Sequence, residues 1–288
     1  CAFQEVAPAV SLLGSKFKLR VLGPSLDVVR TLEGLTLQPD GPYAAEADVA
    51  AVLVPGGDPE SVLENGALHE LLAAAASSGA AIGGICNGAL LLARAGLLTG
   101  RRCTHTAVPK YAPSPEHDAL LGVASSLFTG SRWVDEDVVV DGALVTAKPW
   151  AAIDFGRTMA RISGALTRTE AGARARYLRG RRDLPGVSPH ERWAFLLTPV
   201  PGQTTGPDDI HAHVEWLQSL EADGRLVTGG PFPDHASGMV VVRAPDAAAA
   251  AELAGTDPFV MRGLRRAEVR RWLESCEDNQ HLGRLRPT

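Results

Sequence analysis

The sequence predicts two α/β domains in tandem: a unit built on a mostly parallel sheet, followed by a smaller α+β unit of ferredoxin-like order. Three observations carry this. The 288 residues suit about two domains at roughly 150 residues each. In the first half, short apolar runs alternate with amphipathic helical stretches across short connections, the signature of parallel strands with crossover helices. From residue 193 onward the order changes to strand, helix, strand, strand, helix, strand.

The elements follow in order. Lys18–Leu22 reads as a strand ending in Gly-Pro-Ser, and Val49–Val54 as a buried strand closed by Pro55-Gly56-Gly57. Pro59–Ser78 reads as a helix with leucines at 63, 68, 71 and 72. Ala80–Ile85 is a short apolar strand, and Asn87–Leu98 a helix stopped by Thr-Gly. Val138–Val140 and Ala143–Ala147 flank Asp141-Gly142, a hairpin signal, and Ala151–Ala165 is a closing helix. Residues 168–190 hold Arg174, Arg176, Arg179, Arg181 and Arg182 among Gly and Pro with little apolar periodicity, and read as a solvated basic linker. Trp193–Thr198, Leu226–Gly229, Met239–Val242 and Glu268–Trp272 then read as strands, with helices at Asp209–Asp223 and Asp246–Ala254. The boundaries are therefore 1–167, 168–190, 191–275 and a tail at 276–288.

Composition narrows the function. With 45% hydrophobic and 21% charged residues the chain reads as globular, and its net charge of −5 argues against a nucleic-acid binder. Apolar runs such as Gly79–Ile85 fall well short of the roughly 20 residues a spanning helix needs. The start, Cys-Ala-Phe-Gln-Glu, has neither the basic nor the apolar region of a secretory signal. Four cysteines (Cys1, Cys86, Cys103, Cys276) at irregular spacings form no disulfide framework, so reduced thiols in the cytoplasm are expected. The chain opens without Met at a point that reads as mid-domain.

The chemistry concentrates at Gly83-Gly84-Ile85-Cys86-Asn87-Gly88-Ala89. Small residues on both sides of the thiol permit a sharp strand-to-helix turn, the geometry of a nucleophile elbow. A thiol facing a helix N-terminus meets free N–H groups that favour thiolate, the reactive form. The competing reading is a small hydrophobe packed in the core. Pro55-Gly56-Gly57 ends the neighbouring strand, where loops converge at the carboxyl edge of a parallel sheet. Amides of Gly56 and Gly57 there suit an oxyanion, with Asn87 beside them; an ordinary turn is the alternative.

Ala51–Gly57 (AVLVPGG), Ile82–Gly100 (IGGICNGALLLARAGLLTG) with Thr104, and Val145–Ala147 before Ile153-Asp154-Phe155 resemble the ThiJ/PfpI superfamily over residues 1 to about 166. The resemblance implies a flavodoxin-like α/β sandwich of the class I glutamine amidotransferase type, often dimeric, with Cys86 as the reactive elbow residue. Relatives include deglycases, protease-like proteins and isonitrile hydratases. It also implies a carboxylate beside the thiol from the loop after the first strand. Glu5, in Phe3–Pro8, is the matching residue, and a protonated Glu5 there stabilises thiolate and shuttles protons. Asn87 stands where many relatives carry His, Gly or Thr, so the candidate base becomes His105. No His-x-Glu ends this domain, which disfavours amidotransferase chemistry. The family's first strand is missing, Cys1 falling just past it; an apolar run is expected upstream.

Ala212-His213-Val214, Leu217–Leu220, Asp223–Pro231 (DGRLVTGGP) and Thr256–Phe259 resemble the YCII-related family. This implies a ferredoxin-like fold that pairs into a dimeric α/β barrel with a His/Asp pair, here His213 and Asp257, with Asp223 the weaker alternative acid. An aspartate that orients a histidine suits proton abstraction. Read from spacing alone, His213 is as well a structural histidine and Asp257 a cap before Pro258. His211 and His213 point to different helix faces and do not share a metal. The expectation is a cysteine-nucleophile enzyme, catalytic residues Cys86, Glu5, His105, His213 and Asp257, acting on a small molecule by hydrolysis or hydration. It takes no cofactor and no metal, binds neither nucleic acid nor membrane, and forms a homodimer. The alternatives are a redox or stress sensor at Cys86, and lyase or isomerase chemistry at His213/Asp257.

Overall fold

The computed structural model describes residues 1–111, 124, 126–180, 184 and 186–276, and the chain divides into two compact units, Cys1–Arg179 and Gly180–Thr288. In the first, β1 (Ala51–Val54), β2 (Ala81–Ile85), β3 (Val138–Asp141) and β4 (Leu144–Ala147) form a sheet of order β1-β2-β4-β3. The three strands β1, β2 and β4 run parallel, in register Ala51 opposite Ala81 and Leu144 opposite Ile82. The β3–β4 hairpin turns at Asp141-Gly142 as its sequence requires, with Leu144 opposite Asp141 and Gly142 at φ +65°.

Every residue of β2 is buried because helices cover both faces. On one side α2 (Gly66–Ser77) and α3 (Gly88–Arg94) bring Leu68, Leu72 and Leu92 onto Ile82 and Val54. On the other, α1 (Phe3–Leu13), α4 (Ala152–Ile162) and α5 (Arg168–Leu178) bring Val6, Leu12, Phe155 and Met159 onto Ile85 and Val145. The fit leaves no room for side chains at the middle of β2. A Cβ on Gly83 would sit 2.5 Å from the Met159 sulfur, and one on Gly84 would sit 2.8 Å from Leu92.

Four expectations need correction. Phe3–Pro8 is not a loop but the start of α1, which runs through Pro8 because apolar residues at 6, 9, 12 and 13 face the core. Lys18–Leu22 is not a full strand; only Leu22–Gly23 pairs, with Gly41–Pro42. The expected linker at 168–190 begins with α5, a helix whose Thr167 and Glu170 form a reciprocal capping box and whose Ala171, Gly172 and Ala175 are buried. Its arginines face outward, so the apolar stripe is made of small residues that sequence periodicity passes over. Arg181, Arg182 and the tail beyond Cys276 lie outside the described residues. Helix α2 also starts later than expected, at the Asn65 cap, whose side chain accepts the Leu68 N–H at 3.0 Å.

The second unit is an antiparallel sheet of β5 (Glu191–Pro199), β6 (Leu226–Pro231), β7 (Gly238–Val242) and β8 (Arg265–Leu273), in order β6-β7-β5-β8. Helices α6 (Pro207–Ala222), α7 (Ala247–Gly255) and α8 (Pro258–Met261) complete the expected ferredoxin-like order. Trp193, Phe195, Leu197, Val240 and Val242 form the inner face, packed against Leu220, Ala250 and Ala254. Among the described residues no helix is long and apolar enough to cross a membrane.

Replacement of Thr167 by Ala removes one half of the α5 capping box and is expected to cost about 1 kcal/mol. Urea unfolding of the whole chain measures this; an unchanged midpoint would return residues 168–178 to the status of a tether.

Candidate active site

Strand β2 ends at Ile85, and the chain then reverses into α3 through Cys86, whose φ of +54° places a non-glycine residue in the left-handed region. Such a conformation is strained and persists only where its surroundings fix it. Two contacts do so. The Cys86 N–H donates to the Ala147 carbonyl at the end of β4, at 2.9 Å. Gly88 lies so close to β1 that a Cβ there would come within 2.2 Å of the Val54 carbonyl oxygen. The elbow read from small residues is thus present, and Cys86 stays partly exposed at the carboxyl edge of the sheet.

Glu5, in the first turn of α1, is buried and hydrogen-bonds with the Cys86 side chain. The Gly56 N–H donates to Glu5 Oε2 at 3.0 Å. Glycine at 56 is obligatory: a Cβ there would be 2.4 Å from Glu5 Oε2 and 2.7 Å from Cys86 Cβ. This corrects one expectation, because an amide already given to Glu5 does not hold an oxyanion. The amides of Gly57 and Asn87 instead hydrogen-bond with the Cys86 sulfur. The Asn87 side chain donates to the Gly57 carbonyl at 2.8 Å and so pins the glycine loop to the elbow.

The electrostatics differ from the helix-terminus argument. Burial, then the facing Glu5 carboxylate, push the Cys86 thiol up to about 12, against the weaker pull of the Asn87 and Gly57 amides. Burial likewise raises Glu5. Two acidic groups in one half-buried site resist ionising together, and the site therefore favours one proton and one negative charge shared by the pair. At rest the sulfur holds that proton. Thiolate arises when it crosses the hydrogen bond to Glu5, a transfer that leaves the net charge of the site unchanged.

His105 is placed elsewhere. It is buried, stacks on Phe128 with ring centroids 3.6 Å apart, and leaves Nδ1 buried without a hydrogen-bond partner among the described residues. Burial lowers it to about 4, so the ring is neutral. Its ring contacts are Phe128 and Trp133, not the Cys86–Glu5 pair.

One group escaped the sequence reading. Lys148, directly after β4, is 3% exposed. Its Nζ donates to Asp135 at 2.7 Å, the Tyr111 hydroxyl at 3.0 Å and Asp137 at 3.4 Å. Burial pulls this lysine down, but those partners outweigh it and hold its pKa above the ordinary lysine range. The network ties segments 111 and 135–137 to the strand end whose Ala147 carbonyl fixes the elbow. The available signal was a lysine ending an apolar strand, in Ala-Leu-Val-Thr-Ala-Lys.

In the second unit, His213 and Asp257 do meet. His213 Nδ1 lies 2.9 Å from Asp257 Oδ1, and the imidazole stacks on Phe259 at 4.3 Å and on Trp216 at 5.7 Å. Asp257 also caps α8 through the Phe259 N–H, so the cap and the dyad coexist on one oxygen while Oδ2 stays buried and unpartnered among the described residues. Asp223 ends α6 in an exposed position and is not the acid paired with His213. His211 points outward toward Glu215, 3.4 Å away, as the helical spacing implies.

An elbow cysteine paired with a buried acid on a helix-covered parallel sheet defines a class of protein, and the comparisons identify it. The DJ-1/PfpI family model matches residues 4–162, and the YCII-related domain model matches residues 192–273. The chain belongs to the DJ-1/PfpI family and carries a YCII-related domain after it. An uncharacterized protein of Archaeoglobus fulgidus is 28% identical over 145 residues, 49% of this chain and 78% of its own length. The uncharacterized protein YjpA of Bacillus subtilis is 29% identical over 80 residues, 28% of this chain and 94% of its own. Drosophila melanogaster DJ-1beta, at 23% identity and TM-score 0.50, covers 62% of this chain and 91% of its own, a likeness of fold.

The shared proton sets a pH signature. Between the two ionisations of the pair, the fraction of sulfur as thiolate is constant, so iodoacetamide alkylation of Cys86 should run level with pH and rise only toward about 12. Glu5→Gln removes the carboxylate that raises Cys86. The level stretch should then give way to a rise of about tenfold per pH unit, ending at a midpoint well below the wild-type value. Gly56→Ala, by prying Glu5 from the sulfur, should do the same. A wild-type rate that climbs steadily through neutral pH contradicts the shared proton.

Proposed function

We propose that this protein is an enzyme in which the Cys86 sulfur adds to a small electrophile and water completes a hydrolysis or hydration. The observation that supports this most directly is the hydrogen-bonded Cys86–Glu5 pair, held against the Gly56 amide at a strained elbow. Strain and a perturbed acid pair at a sheet edge are costs that a packing role does not require.

The geometry suggests the steps. Sulfur bonds to the substrate carbon as its proton passes to Glu5, and the electron pair of the carbon–oxygen or carbon–nitrogen multiple bond moves onto the heteroatom. Glu5 then returns the proton to that heteroatom or to the leaving group. Water displaces the sulfur, which takes a proton back. Adducts of glyoxal type and simple amides have the electron-poor carbon this needs; on an isonitrile the sulfur adds to the terminal carbon and Glu5 returns the proton to that same carbon, giving a thioimidate that water hydrolyses. A thiol kept protonated until a substrate arrives fits turnover better than a peroxide sensor, since oxidation also needs thiolate.

A second reading has its own observation. The His213–Asp257 pair, with its ring stacked with Phe259 and Trp216, is arranged as an oriented base. It supports proton-transfer chemistry of lyase or isomerase type in the second unit. A cytoplasmic homodimer remains the expected setting for both.

Turnover assays with methylglyoxal, an isonitrile and simple amides separate the readings. Cys86→Ser is expected to lower turnover at least about a thousandfold, while His213→Ala leaves it unchanged. Full turnover in the serine variant would rule out the leading assignment, and loss in His213→Ala alone would move the chemistry to the second unit.

A further inference from the structure

We propose that Glu33, an exposed residue outside the site, is a positioning residue that keeps Glu5 ready to accept the Cys86 proton. The proposal rests on the proton-sharing pair described above and deepens it. Glu33 lies in the turn between two short antiparallel segments, Val29–Arg30 and Thr36–Leu37. From there its carboxylate accepts the N–H of Phe3 at 3.2 Å and of Gln4 at 2.9 Å, the first two amides of α1. The Leu32 N–H also donates to the Cys1 carbonyl, and the Ala2 N–H to the Gly56 carbonyl, both at 2.9 Å. One turn thus holds the start of the helix against the glycine loop.

The consequence is electrostatic. The positive end of a helix favours a nearby carboxylate in its charged form. Glu5 sits in that first turn, yet Glu33 already occupies two of its free amides. Those hydrogen bonds hold Glu33 down at about 2, so it is charged at all relevant pH, and its charge opposes ionisation of Glu5. Glu33 therefore denies Glu5 the helix end and adds a like charge beside it, both of which favour a protonated Glu5.

The other groups acting on Glu5 are accounted for. Cys86 faces it from the elbow, and the amino group of Cys1 acts in the opposite sense. On α4, packed against α1, Asp154 is paired with Arg157 and Arg179.

The test is a cycle of four proteins: wild type, Glu33→Gln, Glu5→Gln and the double variant. Cys86 alkylation by iodoacetamide is read across pH, and thermal midpoints are recorded alongside. Glutamine at 33 keeps an acceptor for the helix amides but removes the charge. Glu33→Gln is expected to lower the level alkylation rate about two- to fivefold, the range for one exposed charge at a helix terminus. In the Glu5→Gln background the same substitution should change nothing. A level rate unaltered by Glu33→Gln overturns this proposal alone. An equal fall in the Glu5→Gln background also overturns it, since Glu33 would then act by another route. Absence of a level stretch in the wild type overturns the shared proton and the role of Glu33 together.

Discussion

The close approach of Glu5, Gly56 and Cys86 is the constraint on which the first unit depends. Three segments far apart in the chain, a helix start, a strand end and an elbow, converge within a space that excludes a single methyl group at residue 56. Each supplies what the others lack: the acid, the amide that orients it and the sulfur that shares its proton. Burial makes the arrangement consequential. In water a glutamate and a thiol ionise independently, four units or so apart; in this half-buried site burial raises both, and the Glu5 carboxylate pushes the thiol up while the thiol pulls Glu5 down.

The rest of the fold serves to hold that approach. Helices pressed on both faces of β2 leave room only for glycine at 83 and 84, and this tight layering sets where the strand ends and the elbow begins. The Ala147 carbonyl fixes Cys86 from the neighbouring strand. Immediately after it, the buried Lys148 network anchors the adjoining segments. A buried amine is costly unless paired, so only removal of both carboxylates from that network would leave the Lys148 charge uncompensated.

The second unit reaches a different solution with a similar economy of parts. Asp257 Oδ1 accepts both from the α8 backbone and on the side of the His213 ring, so the helix cap that fixes the aspartate also aims the histidine. The rings of Phe259 and Trp216 both stack with the imidazole. Together the two units carry two separate constellations of chemistry on one chain, each built on its own core.

Residue pattern was enough for the buried strands β1 and β2, the order of the second unit, the elbow at Cys86 and the hairpin at Asp141-Gly142, whereas the His213–Asp257 pair came from the family resemblance. Those features are written in local residue type: glycine where backbones crowd, alternation where one face is buried, and acid before proline at a helix start. Resemblance singled out Glu5 but set it in a loop, whereas it is a helix-start acid, buried rather than solvated, on an α1 whose periodicity Pro8 masks. The helix at 168–178 was missed because alanine and glycine bury against α4 without the large apolar residues that betray a stripe. It took the packed chain to show that Gly56 gives its amide to Glu5, that His105 packs on Phe128, that Lys148 is buried, and that burial and Glu5 raise the Cys86 thiol. Each of these depends on which distant groups share a low-dielectric space, and no local pattern encodes that.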